Sequence, residues 1–185
     1  MLEKTMKMKP LLLLAAMFSL SGFLSAGEIL DIKGSFDAGI KDGFPAGWFP
    51  NKPGWWDDAA TVAVNPIDGT EKQSLLITAP NQGIHLFTGK EWHVVSGDQC
   101  HIRAMVKGTG TGQLGVYTYP GCGLSAKTFV ATDEWTEFVA DVTIPNSDPS
   151  IEAEVEKIRV VLVTNPNSAI EFSDVAAEIV RKDQQ

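Results

Sequence analysis

Alternation of apolar and polar residues at every second position constrains the fold of this chain more than any other feature of its sequence. Successive residues on a strand point to opposite faces, so this period indicates strands with one buried face. Clusters of Gly, Pro, Asn and Asp separate the alternating runs, as turns do between strands. The runs predict ten strands, at 28–32, 61–64, 74–78, 83–87, 98–107, 113–119, 127–131, 134–144, 155–164 and 169–180.

The first 26 residues differ from the rest and predict a secretory signal peptide. Three lysines precede an apolar run at 11–20, and a Ser-x-Ala sequence ending at Ala26 suits signal peptidase. The apolar run is shorter than the roughly 20 residues that a membrane span needs, which disfavours the alternative of a retained anchor. We therefore expect cleavage after Ala26, a secreted or periplasmic protein, and no membrane span in the mature chain.

Residues 27–185 are expected to form a single domain. No linker, internal repeat or low-complexity tract divides them, and their number suits one domain. Ten short strands with Gly and Pro between them predict an all-β fold, a two-sheet antiparallel β-sandwich or jelly roll.

The charge of the mature chain excludes one class of partner. The whole chain has 15 basic and 23 acidic residues, and removal of the signal takes away three lysines and Glu3. The remaining 12 basic and 22 acidic residues give a net charge of −10. Such a surface repels phosphate backbones, so we expect no nucleic-acid binding, whereas neutral glycans and cations remain suitable partners.

Two cysteines leave the question of a disulfide open. An exported protein meets an oxidising compartment, so a bridge between Cys100 and Cys122 is chemically allowed. The alternative is two free thiols, since a bridge needs a short separation between the two Cα atoms that the sequence alone does not supply.

The runs at 98–107 and 113–119 are predicted to pair as a β-hairpin across the sequence GTGTG. Their apolar alternate residues would form one buried face, because a slip of one residue would turn every side chain over. The opposite face would combine two phenols, a guanidinium and an imidazole, which suits a polar ligand with a flat apolar side. The predicted ligand face carries His101, Arg103, Tyr117 and Tyr119.

Five landmarks follow one another along the mature chain. They are KGSFDAGIKDGFPAGW (33–48), QSLLI (73–77), HIRAMVKGTG (101–110), TDEWTEFVADVTIP (132–145) and IRVVLVTNPNSAIEFSDVAAEIV (158–180). Their order and spacing resemble the jelly-roll carbohydrate-binding modules of the galactose-binding-like superfamily. The resemblance implies a β-sandwich that recognises a polysaccharide or oligosaccharide.

The same resemblance implies a structural calcium ion. In that family an acidic residue after the early Phe and an aspartate of the last strand often help to hold calcium, and these positions correspond to Asp37 and Asp174. Ser173 stands where the family usually has a further aspartate, which removes one charge. The alternative is that both carboxylates only accept backbone hydrogen bonds at strand ends.

Aromatic residues supply the expected contacts with sugar, because a pyranose lays its C–H face on an aromatic ring. Tyr117 and Tyr119 share one face by period and are the leading stacking pair. Trp92 lies just before the strand of His101 and is a further candidate. Of the adjacent Trp55 and Trp56, which point opposite ways in an extended segment, Trp56 is expected to be the exposed ring. Two other tryptophans, Trp48 and Trp135, are expected in the core.

No pair of placed acid and base groups predicts catalysis. Glu152, Glu154 and Glu156 superficially resemble a glycosidase strand, but Lys157 occupies the position where the pattern needs an acid. We therefore expect a secreted, non-catalytic, monomeric module that recognises a neutral polysaccharide through a sheet face. The alternatives are a jelly-roll glycoside hydrolase or polysaccharide lyase, and a structural or adhesive envelope protein.

Overall fold

The structure, a computed structural model, describes residues 27–50, 58–148 and 151–184. The predicted signal peptide lies outside the described residues. No helix within these three segments is long and apolar enough to cross a bilayer. In chain order the strands are β1 (Glu28–Ile29), β2 (Ile40–Lys41), β3 (Phe44–Pro45), β4 (Trp48–Pro50), β5 (Thr61–Pro66), β6 (Gln73–Ala79), β7 (Ile84–Thr88), β8 (Trp92–His93), β9 (Gln99–Thr109), β10 (Thr111–Tyr119), β11 (Gly123–Val130), β12 (Thr136–Thr143), β13 (Ser147–Asp148), β14 (Ala153–Glu154), β15 (Lys157–Thr164) and β16 (Ser168–Val180), followed by the 3₁₀ helix Lys182–Gln184.

The long strands form two antiparallel sheets. The first sheet has the order β12-β9-β16-β6-β5, with β1 beside β16, and the second has the order β11-β10-β15-β7-β4, with β8 beside β15. The short strands β2 and β3 pair with each other, as do β13 and β14. The predicted all-β, two-sheet antiparallel sandwich is therefore confirmed.

The main hydrophobic core lies between the two sheets and is built by the alternating positions. Trp48 is buried in it, as predicted. Each buried aliphatic or aromatic side chain stabilises the fold by about 1.5 to 3 kcal/mol relative to exposure. In β9 and β10 the buried alternate residues are Cys100, Ile102, Ala104, Val106, Leu114, Val116 and Thr118.

The predicted hairpin of β9 and β10 is wrong. β9 pairs with β12 and β16 in the first sheet, whereas β10 pairs with β11 and β15 in the second. The chain crosses between the sheets at Gly110, with φ of 138° at Gly108 and 89° at Gly110. Two strands turn their apolar faces toward the core whether they pair as a hairpin within one sheet or belong to two facing sheets joined by a crossover. The alternation therefore predicted the phase of each strand correctly but not the partner of either.

The two cysteines are free. Cys100 is buried between the sheets, whereas Cys122 is exposed in the turn that joins β10 to β11. Burial, with a smaller contribution from the nearby Glu178 carboxylate, raises the pKa of the Cys100 thiol to about 12. Cys100 is therefore an uncharged core residue.

Candidate functional site

The four residues predicted to share one ligand face lie on two different sheets. His101 and Arg103 project from the outer face of the first sheet, because the alternate residues of β9 are buried. Tyr117 and Tyr119 belong to the second sheet and contact a separate cluster on its outer face. The prediction of a common face is wrong because it rested on the hairpin that the crossover replaces.

The outer face of the second sheet carries aromatic rings around one guanidinium. We call this surface the aromatic face, and it consists of Phe49 in β4, Phe87 in β7, Tyr117 and Tyr119 in β10, and Arg159 in β15. The register places these residues together, since Phe49 lies opposite Phe87 and Tyr117 lies opposite Arg159. The centroids of the Phe49 and Phe87 rings are 4.3 Å apart, and those of Phe87 and Tyr117 are 5.7 Å apart, both edge to face.

Arg159 lies at the centre of the aromatic face. Its Cζ atom is 4.7 Å from the centroid of the Phe49 ring and 5.4 Å from that of Tyr119, within the range of cation–π attraction. Its Nη2 donates a hydrogen bond to Oε1 of Glu91 at 2.8 Å. Its Nε is buried and has no hydrogen-bond partner among the described residues. The guanidinium is thus held firmly in place beside the ring of Tyr119.

An open hollow of about 230 Å³ adjoins Tyr119. Oε2 of Glu91 lies 3.4 Å from Nζ of Lys157 across this region. The hydrogen bond from Arg159, aided by Lys157, holds the pKa of Glu91 below its usual value. Burial raises the pKa of Tyr119, so its phenol keeps its proton and can donate a hydrogen bond. The hollow is lined by Glu91, Tyr119, Pro120, Glu156 and Lys157.

Tyr117 supports the aromatic face rather than offering a ring to a ligand. Its side chain is only 6% exposed, and its hydroxyl lies 2.6 Å from Nδ1 of His85. Burial lowers the pKa of His85, so the imidazole is neutral at pH 7. Of the predicted stacking pair, Tyr119 is the ring that a ligand can reach.

Of the two tryptophans predicted to contact sugar, the structure describes Trp92 but not Trp56. Trp92 is 4% exposed and packs in the main core, because β8 pairs with β15 and places Trp92 opposite the buried Ile158. This position contradicts the accessible ring that we predicted. Trp56 lies outside the described residues.

On the outer face of the first sheet, the predicted polar residues contact carboxylates on the neighbouring strand. Nδ1 of His101 lies 2.6 Å from Oδ1 of Asp141, and Nη1 of Arg103 lies 3.6 Å from Oε1 of Glu137. These pairs join β9 to β12, and they place both side chains away from the aromatic face.

Trp135 was predicted to be a core residue, and this prediction is wrong. It is half-buried on the outer side of the first sheet, with Nζ of Lys107 6.0 Å from its ring centroid. It borders an open hollow of about 400 Å³ together with Ile67 and Glu171. The phase of β12 explains the difference, since Ala140 and Val142 are buried and Trp135 has the opposite parity.

The two residues predicted to hold calcium lie in different surroundings. Asp37 is exposed, and Oδ2 of Asp174 forms an ion pair with Nζ of Lys72 at 2.7 Å. Among the described residues no group of three or more His, Cys, Asp or Glu side chains could hold a metal ion. Calcium binding at Asp37 and Asp174 stays a prediction, and melting temperatures measured with calcium and with chelator would test it.

Sequence reasoning missed Arg159, Glu91, Phe49 and Phe87. An arginine within the apolar run 158–164 was the available signal, because a charge there must point away from the core. The residues around Arg159 gave no local signal in the sequence, because they belong to segments that are distant from it along the chain.

No protein-family model matches the chain, and neither does any curated protein. Solved structures resemble it in fold. A cyclase from Fischerella sp. TAU, solved with an indole compound, has a TM-score of 0.61 at 9% identity, over 84% of this chain and 99% of the cyclase chain. A CBM4 carbohydrate-binding module has a TM-score of 0.53 at 20% identity, over 80% of this chain and 98% of the module.

An arabinose-bound α-L-arabinofuranosidase, MgGH51, has a TM-score of 0.55 at 14% identity, over 86% of this chain but 27% of the enzyme chain. These similarities, together with the two antiparallel sheets, show that the chain has a jelly-roll fold.

Proposed function

We propose that this protein is a non-catalytic carbohydrate-binding domain that holds a neutral polysaccharide against the aromatic face of the second sheet. The observation that carries the proposal is the accessible ring of Tyr119 beside a hollow lined with hydrogen-bonding groups. The ring offers an apolar platform for the C–H face of a pyranose. Glu91 and Lys157 offer an acceptor and a donor for its hydroxyls.

The balance of charge around the hollow favours a neutral ligand. Glu91 and Glu156 contribute two carboxylates, and Lys157 and Arg159 contribute two cations. The local net charge is therefore zero, although the mature chain as a whole is acidic. The acidic chain as a whole would repel a polyanion, whereas it would not repel an uncharged glycan.

The state of Glu91 supports binding without catalysis. A glycosidase needs one carboxylic acid that is protonated at working pH and a second carboxylate across the scissile bond. Glu91 accepts hydrogen bonds from a guanidinium, and its lowered pKa keeps it ionised. It is thus suited to accept a hydrogen bond from a sugar hydroxyl and unsuited to act as a general acid.

The jelly-roll fold shared with the CBM4 module supports the same proposal at the level of architecture. Folds of this kind host several functions, so the proposal depends on the site rather than on the fold. Membership of the galactose-binding-like superfamily, export by the predicted signal peptide and a monomeric state are parts of the same proposal.

Affinity electrophoresis in native gels containing a glucan, a xylan or a galactan tests the proposal. We expect at least one of these polymers to retard the wild-type protein. Tyr119→Ala is expected to weaken that binding about five- to thirtyfold, as loss of an aromatic contact worth about 1 to 2 kcal/mol does. Trp135→Ala is the matched control, because it removes an accessible ring from the opposite sheet and should bind as the wild type does.

Two results would contradict the proposal. One is mobility unchanged by every polymer although circular dichroism shows an intact fold. The other is loss of binding in Trp135→Ala but not in Tyr119→Ala, which would move the site to the first sheet. Release of reducing ends or of unsaturated products would favour the enzyme alternative, and capture of a protein partner with inert glycans would favour the envelope alternative.

A further inference from the structure

Glu178 carries a buried carboxylate oxygen for which the described residues supply no hydrogen-bond partner. It lies in β16 on the outer face of the first sheet, opposite His101 in β9 and Ile29 in β1. The residue is 2% exposed, and its Oε2 atom is covered and unsatisfied. A buried carboxylate without a partner is costly, so this oxygen points to a donor that the present contacts do not include.

The charged groups around Glu178 form their ion pairs or hydrogen bonds with other carboxylates or with Arg181. His101 pairs with Asp141, and Arg103 pairs with Glu137. On β1, Glu28 pairs with Arg181. Burial raises the pKa of Glu178, and the charges of His101 and Arg103 oppose this only in part.

Gly27 approaches the unsatisfied oxygen. A Cβ atom added to Gly27 would lie 3.2 Å from Oε2 of Glu178 and 3.1 Å from the carbonyl oxygen of Ile179. Because Cβ and the backbone nitrogen are bonded to the same Cα, the nitrogen of Gly27 lies within roughly 6 Å of that carboxylate. Gly27 is also the first residue after the predicted cleavage point.

We propose that cleavage after Ala26 creates an ion pair between the new α-ammonium group of Gly27 and Glu178, so that processing of the chain completes the folded domain. Hydrolysis by a signal peptidase adds one water across the Ala26–Gly27 peptide bond. Ala26 leaves with the new carboxylate, and Gly27 keeps the amine, which takes up a proton at neutral pH. In the uncleaved chain the same nitrogen is an uncharged amide.

The stabilisation that the proposed ion pair gives to the fold depends on pH in a defined way. Its stabilisation requires an ionised Glu178 and a protonated amine, so it is fully present only below the unfolded pKa of an α-amino group, about 8. The carboxylate raises the folded pKa of the amine, so the stabilisation is lost as the pH rises through that higher value. It is also lost in acid, as the pH falls through the folded pKa of Glu178.

The experiment uses the full chain, exported from a bacterial host, with the mass of the product locating its N-terminus. A product that begins at Gly27 is expected. Acetylation of its α-amine at mildly acidic pH is expected to lower Tm at pH 7 by about 3 to 6 °C. In Glu178→Gln the same acetylation should change Tm by less than about 1 °C, whereas Glu137→Gln, a change of an exposed carboxylate on the same sheet, should retain the full shift.

A product with another N-terminus, or an acetylation shift of the same size in Glu178→Gln and wild type, would overturn the proposal. A second measurement does not require the variant to fold. The α-amine of the wild-type product is methylated with ¹³C, which keeps its charge, and is titrated by NMR. A pKa clearly above that of a denatured reference supports the ion pair, and an equal or lower pKa overturns it. Neither result depends on carbohydrate binding.

Discussion

For single residues, strand phase decides whether an aromatic ring is buried or accessible. Trp92 and Trp135 illustrate this, because they have similar polar neighbours in sequence and opposite environments in the fold. Trp92 faces the core across from Ile158, whereas Trp135 lies outside the first sheet beside Lys107. Whether a ring is buried therefore depends on whether it falls in step with the buried alternate residues next to it, and not on its residue type.

We therefore predict a large difference in stability between two truncations. Trp92→Ala leaves a cavity in the main core and is expected to lower the free energy of unfolding by about 3 to 5 kcal/mol. Trp135→Ala removes a half-buried ring with one cation–π contact and is expected to cost about 1 kcal/mol or less. Urea unfolding followed by fluorescence and circular dichroism measures both, and equal losses would contradict the burial seen here.

Arg159 shows how one charged residue organises a surface made by four strands. Its guanidinium contacts rings from β4, β7 and β10, and Glu91 holds its outer edge. The apolar parts of Val161 and Val163 beneath this layer are fully buried although they lie on the outer side of the sheet. The aromatic face is therefore a second, smaller core, and Tyr119 lies at its accessible edge.

Among the elements, the crossover between β9 and β10 has a strict backbone requirement. Gly108 has a φ of 138°, and an added Cβ would lie 2.1 Å from the carbonyl oxygen of Ala169. A side chain here would strain the backbone and also press against β16, because no rotamer moves a Cβ atom. The crossover thus depends on the absence of a side chain at one position.

Gly108→Ala is predicted to destabilise the protein more than the matched variant Gly69→Ala. Gly69 also has a positive φ, 75°, but a Cβ added there meets nothing within 4 Å. Gly69→Ala should therefore cost about 1 kcal/mol from backbone strain alone, and Gly108→Ala at least about 2 kcal/mol more. Denaturant midpoints of the two variants give the difference, and similar midpoints would argue against the crossover geometry.

At the level of the whole molecule, Arg181 ties the two ends of the described chain together and is itself held by the buried carboxylate of Asp98. Asp98 is fully buried and accepts hydrogen bonds from the backbone amides of Val95 and Lys182 and from Arg181, each at 3.0 Å. The guanidinium of Arg181 also binds Glu28, 153 positions away in sequence. The network therefore closes the sandwich where the first and last strands meet.

The protein is predicted to lose stability in acid partly through Asp98. Burial opposes ionisation, but the two amides and Arg181 together hold the pKa of Asp98 below its usual value. A lowered folded pKa contributes stability above the unfolded value of about 3.9, and this contribution is lost as the pH falls below it. Asp98→Asn should cost about 2 to 4 kcal/mol at pH 7.

Melting temperatures at pH 6 and pH 3 test this role. The fall in Tm between the two values should be smaller in Asp98→Asn than in the wild type, because the variant has no carboxyl group to protonate at this position. Asp141→Asn, which alters an exposed carboxylate of the first sheet, serves as the control. An equal fall in Asp98→Asn and wild type would show that other groups cause the acid sensitivity.

Much of the fold could be predicted because strand alternation is a local property. Nine of the ten period-two runs located the nine longer strands of the described chain, and the remaining run corresponds to the two-residue strand Glu28–Ile29. The runs also assigned the inward residues of β9 and β10 correctly. The short strands, such as β4 and β8, have two or three residues, which is too few for a period to be recognised. Tyr119 was correctly placed on an outer face by the same parity.

The sequence by itself determined the all-β class and which sides of β9 and β10 face the core, since both follow from residues that are neighbours in the chain. The tertiary structure alone decided which strands pair, and therefore that Tyr119 meets Arg159 and Glu91 rather than His101 and Arg103. The physical reason is that burial requires only that an apolar face be covered. A hairpin and a crossover cover it equally well, and the choice between them depends on hydrogen bonding between segments far apart in sequence.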